Sequence, residues 1–275
     1  MAAVGLPAQL QAAIPSLRWP LDPSSCPPLH LQSLENLKSL REKTLSANSP
    51  LRDVLLDLPS TLDSVLPQGD DEDHKYFGLI SMSLLLLGNG YTDECHNLIT
   101  PLSWPEDIHF AHGPSIYSQV SPAVQSYATY VHSLVHRREA FNTGEFGMLG
   151  FANANYWSNA FARSRGHNDL PHRELLQYVV TLAQSFPSCE PVQSWCQQHG
   201  MIASSINEEP PYFENRAVHQ LCAKVLQQSS SDDDSDLRRF AELVSEGEVR
   251  ILLGHALQRA GYDVDKTKIV EQRQM

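Results

Sequence analysis

Helix punctuation recurs along this chain, and strand patterning does not. Pro101, Pro171 and Pro191 stand near the edges of apolar segments, and Gly88, Gly90, Gly200 and Gly261 stand where such segments stop. Proline cannot continue a helix, and glycine suits the left-handed residue just past a helix end. Between these marks apolar residues return at helical spacing. Leu31, Leu34, Leu37 and Leu40 do so in one segment, and Val124, Tyr127, Val131, Leu134 and Val135 form a stripe in another. No run sustains the alternation of a half-buried strand, and no fixed-period repeat occurs. These patterns predict an all-α fold, a single-domain multi-helix bundle.

The segments can be placed in order. Helices are expected near 31–45, 51–57 and 60–66. An apolar helix then runs to a Gly-Asn-Gly stop at 88–90, and a short helix capped by Thr92 ends at Pro101. A loop covers 102–121, and a helix 122–139. Gly144, Gly147 and Gly150 predict a non-helical excursion over 140–151, because each glycine costs a helix about 1 kcal/mol relative to alanine. Further helices are expected at 152–163, 172–186, 191–199, 214–228 and 236–260, with an acidic loop over 229–236. Residues 1–30 carry Pro7, Pro15, Pro20, Pro23, Pro27 and Pro28 and read as an irregular arm. The division is therefore an arm (1–30), an all-α domain (31–263) and a C-terminal tail (264–275).

Charge narrows the partners. The 275-residue chain has a formal net charge of -12, which argues against nucleic acid or an anionic membrane surface. Its longest leucine run, Leu84–Leu87, is far too short to cross a bilayer. The N-terminus has neither the basic start nor the continuous apolar stretch of a signal peptide. Five scattered cysteines without a CxxC read as reduced thiols of a cytoplasmic protein.

The chemistry concentrates between Tyr130 and Trp157. His132, His136 and Glu139 fall at i, i+4 and i+7, within about a 60° arc of one helix face. Two imidazoles and a carboxylate on one face suit a divalent metal ion or acid–base work. The order is not the HExxH of metalloproteases, nor the ExxH of ferritin-like carboxylate proteins. The same three residues also suit a purely structural hydrogen-bond network. Asp93, Glu94 and His96 supply a second polar group, with His96 the natural partner for His132 and His136. Arg137 and Arg138 have the fork that recognises a small anionic ligand, and they serve equally well in internal ion pairs. Asn153, Tyr156 and Trp157 are candidates for a pocket wall. No GxGxxG, GxxxxGK[ST] or GxSxG is present, which removes support for nucleotide-dependent and α/β-hydrolase chemistry.

The pieces DECH (93–96), VHSLVHRRE (131–139) and NANYW (153–157) together resemble an uncharacterised helical family of bacteria and fungi. In that family an HRRE segment is followed almost directly by NAxYW and then by an R-x-G-x-H-P element, which Arg165, Gly166 and His167 resemble. FENRAVHQLC (213–222) and AELVSEGEVRILLGHAL (241–257) are similar to its closing helices. The chain departs from the pattern by the insertion of Ala140 to Ala152. The resemblance covers roughly residues 74–260 and implies that His96, His132, His136 and Glu139 converge, without implying a reaction. Two functions follow as expectations. One is an intracellular enzyme, metal-assisted, acting on a small anionic molecule. The other is a non-catalytic ligand-binding or scaffolding protein.

Overall fold

The computed structural model describes residues 4–19, 21, 73–104, 115–141, 147–163, 166–207, 213–227 and 234–272. The helices expected near 31–45, 51–57 and 60–66 lie outside these residues, as does most of the acidic loop. Within them the chain is all-α. Its only strands among the described residues are a two-residue parallel pair, Val4–Gly5 (β1) with Tyr262–Asp263 (β2).

The helices are α1 (Ala8–Ala13), α2 (Asp73–Gly88), α3 (Thr92–Ser103), α4 (Pro122–Glu139) and α5 (Gly147–Ala162). They continue with α6 (His172–Ala183), α7 (Glu190–Gln198), α8 (Asn215–Gln227), α9 (Asp234–Arg259) and α10 (Lys266–Glu271). The long α9 packs against α2, α6, α8 and α10, while α4 packs against α2, α3 and α5. Leu84, Leu87, Tyr127, Val131, Phe240, Val244 and Leu252 are all buried in the core between them.

Local chemistry accounts for the ends of α4. Ser121 caps it by accepting a bond from the Val124 amide, Pro122 occupies its first turn, and His136, Arg137 and Arg138 occupy its last. A capping oxygen satisfies a donor that the helix cannot, and basic groups at a C-terminus face the negative end of the dipole. The Gly-Asn-Gly stop after α2 forms as expected. Gly90 takes φ 89°, and the Tyr91 amide returns to the Leu86 carbonyl at 2.9 Å.

Three local expectations are corrected. The helix that begins at Thr92 does not end at Pro101 but passes through it to Ser103. The proline removes only the bond to the Asn97 carbonyl, at a half-buried residue. Beyond it the Trp104 amide bonds to the Thr100 carbonyl at 3.0 Å. Thr92 is not the cap of this helix; Tyr91 stands at that position and makes no side-chain cap bond. The excursion after α4 is also shorter than expected, because α5 begins at Gly147 rather than near Ala152. Gly150 lies inside α5 where the helix crosses the end of α4. A Cβ there would stand 2.6 Å from the Ala140 backbone nitrogen. The helix accepts glycine's low propensity in return for that close approach. Gly150→Ala should therefore destabilise the protein by about 1–3 kcal/mol, as overpacking does, despite alanine's better propensity. Chemical denaturation measures it, and a stabilised variant would contradict the close crossing.

The described part of the N-terminal arm is ordered, in contrast to the irregular arm expected. Leu10, Ile14, Leu17, Trp19 and Leu21 are buried. The reason lies in α9: the buried Arg250 guanidinium donates to the Ile14, Leu17 and Ile269 carbonyls at 3.0–3.1 Å and to Glu246 at 2.8 Å. One side chain thus ties both ends of the chain to the core. The C-terminal tail likewise contains α10, which buries Ile269 and is capped by Asp265 on the Thr267 amide.

Candidate metal centre

The centre forms where α3 crosses α4. On α4, His132 and Glu139 are seven residues apart, and on α3 so are His96 and Ser103. A separation of seven returns to the same helix face. The two faces meet. One ring nitrogen from each of His96, His132 and His136 lies within 4.8 Å of the others. The Nε2 atoms of His96 and His132 are 3.1 Å apart. Two nitrogens bound to one tetrahedral ion would be about 3.3 Å apart. The widest pair has to close by up to about 1.5 Å to reach that spacing. His96 and His136 are only half-buried, whereas His132 is buried.

Hydrogen bonds behind two of the rings decide which nitrogens face the centre. Ser103 Oγ donates to the Ile99 carbonyl at 2.9 Å, which leaves its lone pairs able to accept from His132. It lies 2.7 Å from His132 Nδ1, and in the tautomer with the hydrogen on Nδ1 the serine accepts it and Nε2 keeps a lone pair. His136 Nδ1 lies 2.6 Å from Glu139 Oε2, so a neutral His136 likewise presents Nε2 as its lone pair. A carboxylate or hydroxyl that holds the far nitrogen of a histidine is how metal-ligating rings are oriented. Glu139 thus acts on His136, and it is not among the three groups that converge. Asp93 and Glu94 occupy the first turn of α3 and are outside the group as well.

Ser103 was not singled out in the sequence, because Pro101 read as the end of its helix. Its spacing of seven from His96 is the signal that identifies it. Ser103→Ala should weaken metal binding about 10- to 100-fold while the fold persists, since loss of such an outer partner typically costs that much. Titration with zinc against a competing chelator measures this, and an unchanged dissociation constant would remove Ser103 from the site.

The aromatic residues divide. Trp157 is buried and stacks on His132, with ring centroids 3.8 Å apart and an interplanar angle of 16°. The His132 ring also stacks against His136, with centroids 4.9 Å apart. Trp104 packs on Trp157 at 5.0 Å. Trp157 therefore backs a histidine instead of lining an open pocket. Tyr156 meets Trp157 edge-on at 5.5 Å and is 61% exposed, and Asn153 is exposed.

Arg137 is the largest departure from the expected anion-binding role. It is fully buried and faces away from the histidines. Its Nε donates to His219 Nδ1 at 2.7 Å, and its two terminal nitrogens donate to Ser245, to the Asn215 carbonyl and to both oxygens of Glu248. All five guanidinium donors are used, leaving none for a ligand. Burial alone would lower its pKa, and the Glu248 carboxylate outweighs that and raises it. The internal ion pair, the plainer of the two expectations, is what forms. Arg138 is buried too, with its guanidinium 5.3 Å from the Trp19 ring centroid. A cation over an indole face at that distance is attracted by the ring.

The same network contains a Ser–His pair that invites a nucleophile reading. Ser158 Oγ is 2.7 Å from His219 Nε2. Because Arg137 donates to Nδ1, His219 must carry its hydrogen on Nε2 and donate to Ser158, which passes its own hydrogen to the Ala154 carbonyl at 3.0 Å. The serine is not activated. Burial, then the charge of Arg137, holds His219 well below the usual histidine range, so it stays neutral. Burial also pushes the Cys95 thiol well up, assisted by Glu139, and the Cys222 thiol up to about 11. Neither is a ready thiolate ligand or nucleophile. Glu248 had a sequence signal, standing between Val244 and Leu252 at helical spacing in α9.

Among the described residues no helix is long and apolar enough to cross a membrane. No family model matches the chain, and no curated protein and no solved structure is significantly similar to it.

Proposed function

We propose that this protein is a metal-assisted enzyme in which His96, His132 and His136 hold one first-row divalent ion that acts on a small anionic molecule. The observation that carries the reading is the three-imidazole group, in which Ser103 and Glu139 hold the far nitrogens of His132 and His136. An all-imidazole set suits zinc, copper, iron or nickel. Three protein ligands leave a position for water or substrate, as in catalytic sites. Neutral ligands leave the ion's positive charge nearly intact, reduced only by Glu139 behind His136. That charge, rather than an arginine, supplies the attraction for an anion. At the open position the ion polarises a bound oxygen or lowers a bound water's pKa toward neutrality. An intracellular setting agrees with the free thiols of Cys95, Cys189, Cys196 and Cys222.

A second reading has its own support. The 3.1 Å contact between His96 and His132 is also an ordinary hydrogen bond, and a satisfied buried network can specify helix packing without metal. Metal content separates the two. Protein purified without a histidine tag should contain about one first-row metal ion per chain. Adding that metal at 100 times its dissociation constant should stabilise the stripped protein by about 2.7 kcal/mol. Absence of both would leave the scaffold reading.

A further inference from the structure

One set of ring contacts leads from the histidine group to solvent. His132 stacks on Trp157 at 3.8 Å, and Trp157 meets the edge of Tyr156 at 5.5 Å. Tyr156 is 61% exposed, although it is a large aromatic side chain on a helix with a well-formed buried face. Indole and phenol are the most easily oxidised of the aromatic side chains. Trp104, 5.0 Å from Trp157, is a side branch of the same path.

We propose that the centre is redox-active and that Trp157 and Tyr156 carry single electrons between it and the protein surface. The proposal rests on the three-histidine metal reading and adds a reaction class to it, one-electron oxidation at an exposed phenol, with a peroxide as the oxidant. Hydrogen peroxide at the ion takes one electron from the metal and one from Tyr156, the latter passing through the Trp157 ring. Its O–O bond breaks, and two waters form. The Tyr156 phenol gives its proton to bulk water, which its exposure permits, and two protons are taken up at the peroxide oxygens. The products are the metal one unit more oxidised, a tyrosyl radical at the surface and two waters. One small reductant molecule that reaches the surface then returns an electron to Tyr156, which regains its proton from water, and a second returns the metal's electron along the same path.

The test uses the full chain, stripped of metal and reloaded with iron(II), with bound iron counted by elemental analysis. One equivalent of hydrogen peroxide is added, and the sample is frozen for electron paramagnetic resonance. The expected signal is a tyrosyl radical that is absent without metal and absent in Tyr156→Phe, where an indolyl radical replaces it. Tyr117, a half-buried tyrosine in the turn between α3 and α4, serves as the control, and Tyr117→Phe should keep the tyrosyl signal. An unchanged tyrosyl signal in Tyr156→Phe overturns the relay. So does oxidation of bound iron with no protein radical, and in that case the metal centre itself still stands. Binding of zinc but not iron(II) overturns the redox reading alone. If no metal of any kind binds, the relay and the proposed function fall together.

Discussion

Glu248→Ala should cost about 3–5 kcal/mol, the largest loss expected from a single substitution in this protein, because it leaves one partner of a buried ion pair behind. Arg137 would keep His219, Ser245 and the Asn215 carbonyl but lose its counter-charge. Tyr130, whose hydroxyl donates to Glu248 Oε1 at 2.7 Å, would lose its acceptor in the same step. A domain of ordinary stability has about 5–15 kcal/mol in all, so the variant would be close to unfolding. Urea denaturation reads the loss directly. The double variant Arg137→Met with Glu248→Met should recover much of it, since a buried pair replaced by apolar groups of similar volume is often neutral. If the double variant is no more stable than Glu248→Ala, the cost belongs to packing around α9 and not to the orphaned charge.

His96→Ala should weaken metal binding by more than about 100-fold, beyond the about 10- to 100-fold expected for an outer partner such as Ser103. His96 is the best ligand to remove because it is half-buried, whereas His132 is buried and stacked on Trp157, so its loss would open a cavity. The metal-free variant should therefore melt near the metal-free parent. The two should separate only when metal is added, the parent gaining stability and the variant not. Glu139→Gln should fall between parent and His96→Ala, since an amide oxygen can still accept from His136 Nδ1 but carries no charge. Retention of full affinity in His96→Ala would show that the three imidazoles do not share an ion.

The helical class, the extent of α4 and the polar face of His132, His136 and Glu139 were all legible in the sequence. Each is a property of one helix, set by a turn of about 100° per residue and by the caps at its ends. Wherever a second element intervened, local rules stopped being sufficient. Pro101 and Gly150 are helix breakers by propensity, yet both lie inside helices. Pro101 removes only one helix bond, at the half-buried Asn97, and the close crossing with Ala140 requires the glycine. The first exception carries the helix on to Ser103, and with it the acceptor that orients His132. Tertiary structure alone decided that neighbours in sequence would do opposite things. His136 and Arg137 point about 100° apart on α4, so one turns to α3 and the histidine group while the other turns to Glu248 on α9. Trp157 and Ser158 divide in the same way on α5, one backing His132 and the other bonded to His219. A sequence specifies the angle between adjacent side chains, and packing decides what each of them meets.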